Sequence, residues 1–155
     1  MRTVQLLTMI VGAISAPITG AQSQQRVLTV AVADRVDLGE QDIRKATHLA
    51  QRIFRAAGIP AEFISCTIVK SGPNFRSDCP ATSGQIGVYV HIVSKPAADH
   101  KVQATSAGLA LVGPPGGPGS HVYIYYNRVS RVAHFSSCAT FRVLGHVMAH
   151  EIGHL

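Results

Sequence analysis

The run RVLTVAVA, Arg26 to Ala33, constrains the fold more than any other stretch of this chain. It is short, rich in β-branched residues and lacks a polar face, which suits a strand buried on both sides. A helix follows. Asp37 and Glu40 stand at capping-box spacing, and apolar residues then recur at Ile43, Ala46, Ala50, Ile53, Phe54 and Ala57 before Gly58 and Pro60 end the pattern. Four further strands are expected at Ala61 to Cys66, Ile86 to Val93, Ala107 to Val112 and His121 to Tyr126. The loop GPPGGPGS separates the last two, because its Gly and Pro content continues neither regular structure. From Thr140 onward the spacing is helical again, with Phe141, Leu144, Met148, Ile152 and Leu155 on one face and His146, His150 and His154 on the other. The order predicts an α/β fold: a twisted mixed sheet with a long N-terminal helix and a second helix at the C-terminal end.

At 155 residues the chain is one domain's worth and shows no internal repeat. Its first 21 residues read as a secretory signal: Arg2, an apolar run from Val4 to Ala16, then small residues to Ala21. Gln5, Thr8, Ser15 and Pro17 interrupt that run, so no stable membrane anchor is expected after cleavage. Residues 22–155 then form the mature domain, secreted or periplasmic. Export makes Cys66, Cys79 and Cys138 disulfide candidates, and the first two bracket the loop TIVKSGPNFRSD, which a bridge would close. Cys138 is left over, either as a buried thiol or as half of a bridge whose partner lies outside this sequence.

The net charge is +6, but Lys and Arg are scattered singly along the chain with no basic run interleaved with aromatics. That pattern argues against a nucleic-acid partner. The chemistry is concentrated instead in HEIGH, His150 to His154. On a helix, residues four apart share a face, so His150 and His154 can direct two imidazoles at one Zn2+ ion. Glu151 lies about 100° round the helix from His150, which suits a general base beside the metal rather than a ligand. His146 would stand about 12 Å along the axis from His154, too far for three imidazoles of one straight helix to close a tetrahedral site. It reads as a packing or supporting residue. His48, His91, His100, His121 and His134 have no ligand spacing among themselves.

VMAHEIGHL resembles the active-site helix of the metzincin zinc peptidases, the matrixins above all, and GLALVGPPGGPGSHVYIYY resembles the segment in which their edge strand leads to the last strand. LGHVMAHEIGHL is also similar to the corresponding helix of short exported metallopeptidase-like proteins common in acidobacteria. The resemblance implies a metzincin-like fold with the HExxH helix beneath the sheet, and a protein or peptide substrate paired along the edge strand at Gly108, Leu109 and Ala110. It also implies that the third ligand, the glycine turn and the Met-turn lie beyond Leu155. The acidic residues that hold calcium and structural zinc in matrixins are absent from the loop before the last strand, so neither ion is expected. The leading expectation is therefore a secreted zinc metalloendopeptidase, C-terminally truncated, with His150 and His154 as ligands and Glu151 as base. The alternative is a catalytically silent zinc-binding or interaction domain of the same fold; a third reading, a basic nucleic-acid or surface-binding module, predicts salt-sensitive binding independent of the two histidines. Substrate side-chain preference and oligomeric state leave no trace in the sequence.

Overall fold

The computed structural model describes residues 27–71, 74–79, 86–97, 102–103, 105–113 and 120–155. The signal segment 1–21, His100 and most of the GPPGGPGS loop lie outside them. The elements run β1 (Leu28–Asp34), α1 (Glu40–Ala56), β2 (Ala61–Ser71), β3 (Asn74–Asp78), β4 (Val88–Val93), β5 (Gly108–Leu111), β6 (Ser120–Tyr125), α2 (Tyr126–Phe135) and α3 (Thr140–Ile152). Among the described residues no helix is long and apolar enough to cross a membrane.

The six strands form one mixed α/β sheet in the order β3-β2-β1-β4-β6-β5. β1 lies inside it, parallel to both β2 and β4; β4 and β6 are parallel, and the outer pairs β2/β3 and β5/β6 are antiparallel. Val30, Ala31, Val32 and Ala33 are all buried, as expected of a strand covered on both faces. Alternation then divides the sheet. Val30, Val32, Val88, Val90, Ile92, Val122 and Ile124 face the helices and share a core with Ile43, Ala50, Leu144 and Met148. Ala31, Ala33 and Cys66 face the other way, packed by Ile64, Ile68 and Tyr89, with no helical residue among them.

Helix α1 buries Ile43, Ala46, Ala50 and Phe54 of the expected stripe and half-buries Ile53, while Ala57 is its exposed C-cap. Its C-terminus is a Schellman closure: Gly58 takes φ +77°, its N–H bonds to the Arg55 carbonyl, and the Ile59 N–H reaches back to Phe54. The N-terminus departs from expectation. Gly39 occupies the cap with no side-chain bond, so Asp37 and Glu40 form no capping box. Asp34 acts instead, accepting from the N–H groups of Val36 (3.0 Å) and Leu38 (2.7 Å) and setting the turn between β1 and α1.

Three other expectations are corrected. The segment between Cys66 and Cys79 is mainly a β-hairpin rather than a loop, since β2 continues to Ser71 and pairs with β3. The bridge between Cys66 and Cys79 is present and ties the hairpin ends together, while Cys138 is free and half-buried. Helix α2 was not foreseen: it starts directly from the last residue of β6, without a capping side chain, and buries only Val129 and Ala133. Finally, α3 ends at Ile152 with Gly153 as its C-cap, and Leu155 is exposed rather than on the buried face.

Candidate functional site

Helix α3 is oriented by Leu144, Met148 and Ile152, each buried in the core, and by Gly145, which lies against α1. That rotation leaves His146, His150 and His154 exposed and turns Glu151, one position further round, inward to 8 % exposure. The two outer imidazoles converge. His150 Nε2 and His154 Nε2 are 3.1 Å apart, with ring planes at 86°. Two nitrogens bound to one tetrahedral zinc at 2.0–2.1 Å stand roughly 3.3 Å apart, so the pair fits a shared zinc ion with little adjustment. His146 takes no part in the convergence, and among the described residues no third His, Cys, Asp or Glu gathers with the pair.

Glu151 is seated beneath the sheet edge. A Cβ placed on Gly108 would lie 2.6 Å from Glu151 Cγ, 2.7 Å from Cδ and 2.8 Å from Oε1, so glycine at the start of β5 makes room for the carboxylate. β5 is an outer strand, paired to β6 through Gly108↔Ile124, Leu109↔Tyr123 and Ala110↔Val122. Gly108 therefore abuts the glutamate, and Leu109 and Ala110 continue the outer strand from it.

The approach to β5 is held by a residue that sequence reading missed. Arg128, in α2, donates from Nη1 to the carbonyl oxygens of Gln103 (2.8 Å) and Ser106, and its guanidinium carbon lies 5.2 Å from the Tyr125 ring centroid. The Tyr125 N–H donates to Ala107 at 2.9 Å, so α2 and the end of β6 together fix the chain entering Gly108. Tyr125 is fully buried and its hydroxyl has no hydrogen-bond partner among the described residues. Burial raises its pKa above the ordinary tyrosine value; Arg128 opposes the rise, while the negative charges of Glu151 and ionised Tyr123 add to it.

A second histidine pair stands on the sheet face turned away from the helices. His91 Nε2 and His121 Nδ1 are 3.0 Å apart, and the two rings stack between Tyr89 and Tyr123. Arg35 Nη2 reaches His91 Nδ1 at 3.4 Å. A guanidinium only donates, so His91 accepts at Nδ1 and donates from Nε2 to His121. Burial, then the charge of Arg35, then that of His121, lower the His91 pKa to about 4. Separation in sequence hides this pair: the strand register, not spacing, brings His91 and His121 together.

No family model, curated protein or solved structure matches this chain. The functional reading therefore stands on the geometry of His150, Glu151, His154 and β5.

Proposed function

We propose that this chain is the catalytic domain, or the larger part of one, of an exported metzincin-like zinc metalloendopeptidase. The observation that supports this best is the convergence, at the C-terminal end of α3, of the Nε2 atoms of His150 and of His154 just past the C-cap, beside a Glu151 carboxylate lodged against an outer strand. His150 and His154 would hold zinc, with a third ligand from outside the described residues. Zinc, when bound, supplies acidification of water toward neutral pH and polarisation of a carbonyl. Glu151 takes the proton of the attacking water and returns it to the departing amine. Partial burial of its carboxylate keeps that proton transfer out of competition with bulk water. The free side of β5 at Gly108, Leu109 and Ala110 takes an extended peptide as an added strand, which brings the scissile bond to Glu151.

A silent zinc-binding or interaction domain is the second reading. It is favoured by one feature: at 3.1 Å the two exposed imidazoles can satisfy one another by a hydrogen bond, without metal. Zinc analysis and peptide hydrolysis on the full-length protein separate the two, with wild type beside Glu151→Ala. The peptidase reading expects stoichiometric zinc in both and cleavage in wild type alone. Zinc without cleavage in wild type would favour the silent domain, and equal cleavage by both proteins would remove Glu151 from its role.

A further inference from the structure

Helices α1 and α3 touch where Gly145 meets Ala46: a Cβ on Gly145 would lie 2.7 Å from the Ala46 carbonyl oxygen. Beside that contact the helices diverge around a groove of about 320 Å³. Lys45, His48 and Arg52 line it from α1, Arg142 and His146 line it from α3, and all five are exposed above the half-buried ring of Phe141. The residues are scattered in sequence, and helical spacing of three and four gathers them on facing surfaces.

Among the described residues no carboxylate lines this groove. Among the described residues the Arg44–Glu40 pair lies elsewhere on α1, and Lys45, Arg52 and Arg142 have no ion-pair partner. Permanent positive charges set around one small hollow repel each other within the roughly 8 Å screening length of physiological salt. The one internal compensation is weak: Lys45 Nζ lies 5.3 Å from the Phe141 ring centroid. A multiply charged anion would relieve the repulsion. Two guanidinium forks match phosphate oxygens better than a single carboxylate, and the volume suits a small head group rather than a polymer.

We propose that the α1/α3 groove binds a phosphate-bearing ligand, through Arg52 and Arg142 with Lys45 alongside. The phosphate can belong to a soluble phosphoester or to the head group of an anionic phospholipid, and both offer the same chemistry. This site is independent of the peptidase reading, since none of its residues belongs to the His150, Glu151 and His154 cluster.

The test uses the full-length protein at low ionic strength with two probes: inorganic pyrophosphate followed by calorimetry, and vesicles of phosphatidylglycerol and phosphatidylcholine against vesicles of phosphatidylcholine alone. Wild type is compared with Arg52→Ser/Arg142→Ser, with Lys45→Ser, and with Arg44→Ser as a control outside the groove. We expect pyrophosphate affinity to fall at least tenfold in the double variant, to fall in the same direction in Lys45→Ser, and to stay unchanged in the control. Phosphatidylglycerol-dependent vesicle binding with the same variant pattern identifies a lipid source; pyrophosphate binding alone identifies a soluble one. Binding of neither probe, or binding equal in all variants, overturns the proposal. The substituted side chains are exposed, and a melting curve on each variant checks that the fold is retained.

Discussion

Substituting Gly108 by alanine tests the link between the sheet edge and Glu151. The added methyl would sit 2.6 Å from Glu151 Cγ, whereas carbon atoms rest in contact at about 3.5 Å, so the carboxylate must retreat by about 0.9 Å. A misplacement of that size in a catalytic group costs on the order of a hundredfold in rate, or about 2.7 kcal/mol of barrier. The net effect on folding should be small: shifting the buried Glu151 side chain from Cγ outward costs stability, while Gly108 does not take a positive φ and replacing glycine in a strand recovers roughly 0.5–1 kcal/mol of backbone entropy. The expected result for Gly108→Ala is full zinc content, a melting temperature within a few degrees of wild type, unchanged KM and kcat reduced about a hundredfold. The KM criterion matters because β5 would bind substrate through its main chain, which a methyl group leaves in place. A variant with wild-type kcat would refute the placement of Glu151 as base; one that loses its zinc would locate the damage at the histidines instead.

Reading outward from the site, Arg128→Ala releases the chain at Gln103 and Ser106, and we expect kcat to fall about tenfold with zinc retained; an unchanged kcat would show that β5 holds its position unaided. His91 titrates near 4 in the fold against about 6.5 in the unfolded chain. Its contribution is therefore fully present above pH 6.5 and lost as pH falls from 6.5 to 4, about 3 kcal/mol in all, so the stability read from denaturant melts should fall more steeply with falling pH for wild type than for His91→Gln, and parallel pH dependences would contradict the assignment. Reducing the bridge between Cys66 and Cys79, which are 13 residues apart, should cost about 3 kcal/mol of stability by calorimetry, with Cys66→Ser/Cys79→Ser insensitive to reductant.

The elements legible in the sequence are those whose pattern is local. β1 declared itself because burial on both faces leaves an unbroken apolar run, and α1 because its stripe and its Gly58 stop are complete within seventeen residues of helix. α2 escaped because it has no cap, no acidic first turn and only two buried side chains, so its ten residues carry little periodicity of their own. The hairpin of β2 and β3 was obscured by Gly72 and Pro73, which read as a loop although the pairing of Thr67 with Asp78 continues the sheet beyond the disulfide.

The candidate site divides along the same line. His150, Glu151 and His154 lie within five consecutive positions, so spacing alone could place two imidazoles together and the carboxylate beside them, although α3 ends at Ile152 and His154 follows its C-cap. What gives the carboxylate its surroundings is long-range: Gly108 arrives from a strand forty-three positions earlier, and Arg128 from a helix that sequence did not reveal. The His91–His121 pair and the basic α1/α3 groove are products of strand register and helix packing, and neither leaves a linear trace. The groove bears on how net charge should be read. A charge of +6 dispersed along 155 residues argued against a nucleic-acid partner, yet two helices in contact at Gly145 bring Lys45, Arg52 and Arg142 to one groove. Sequence dispersion of Lys and Arg excludes a contiguous basic segment; it does not exclude a basic site, because helices sort their charges by angle and not by order.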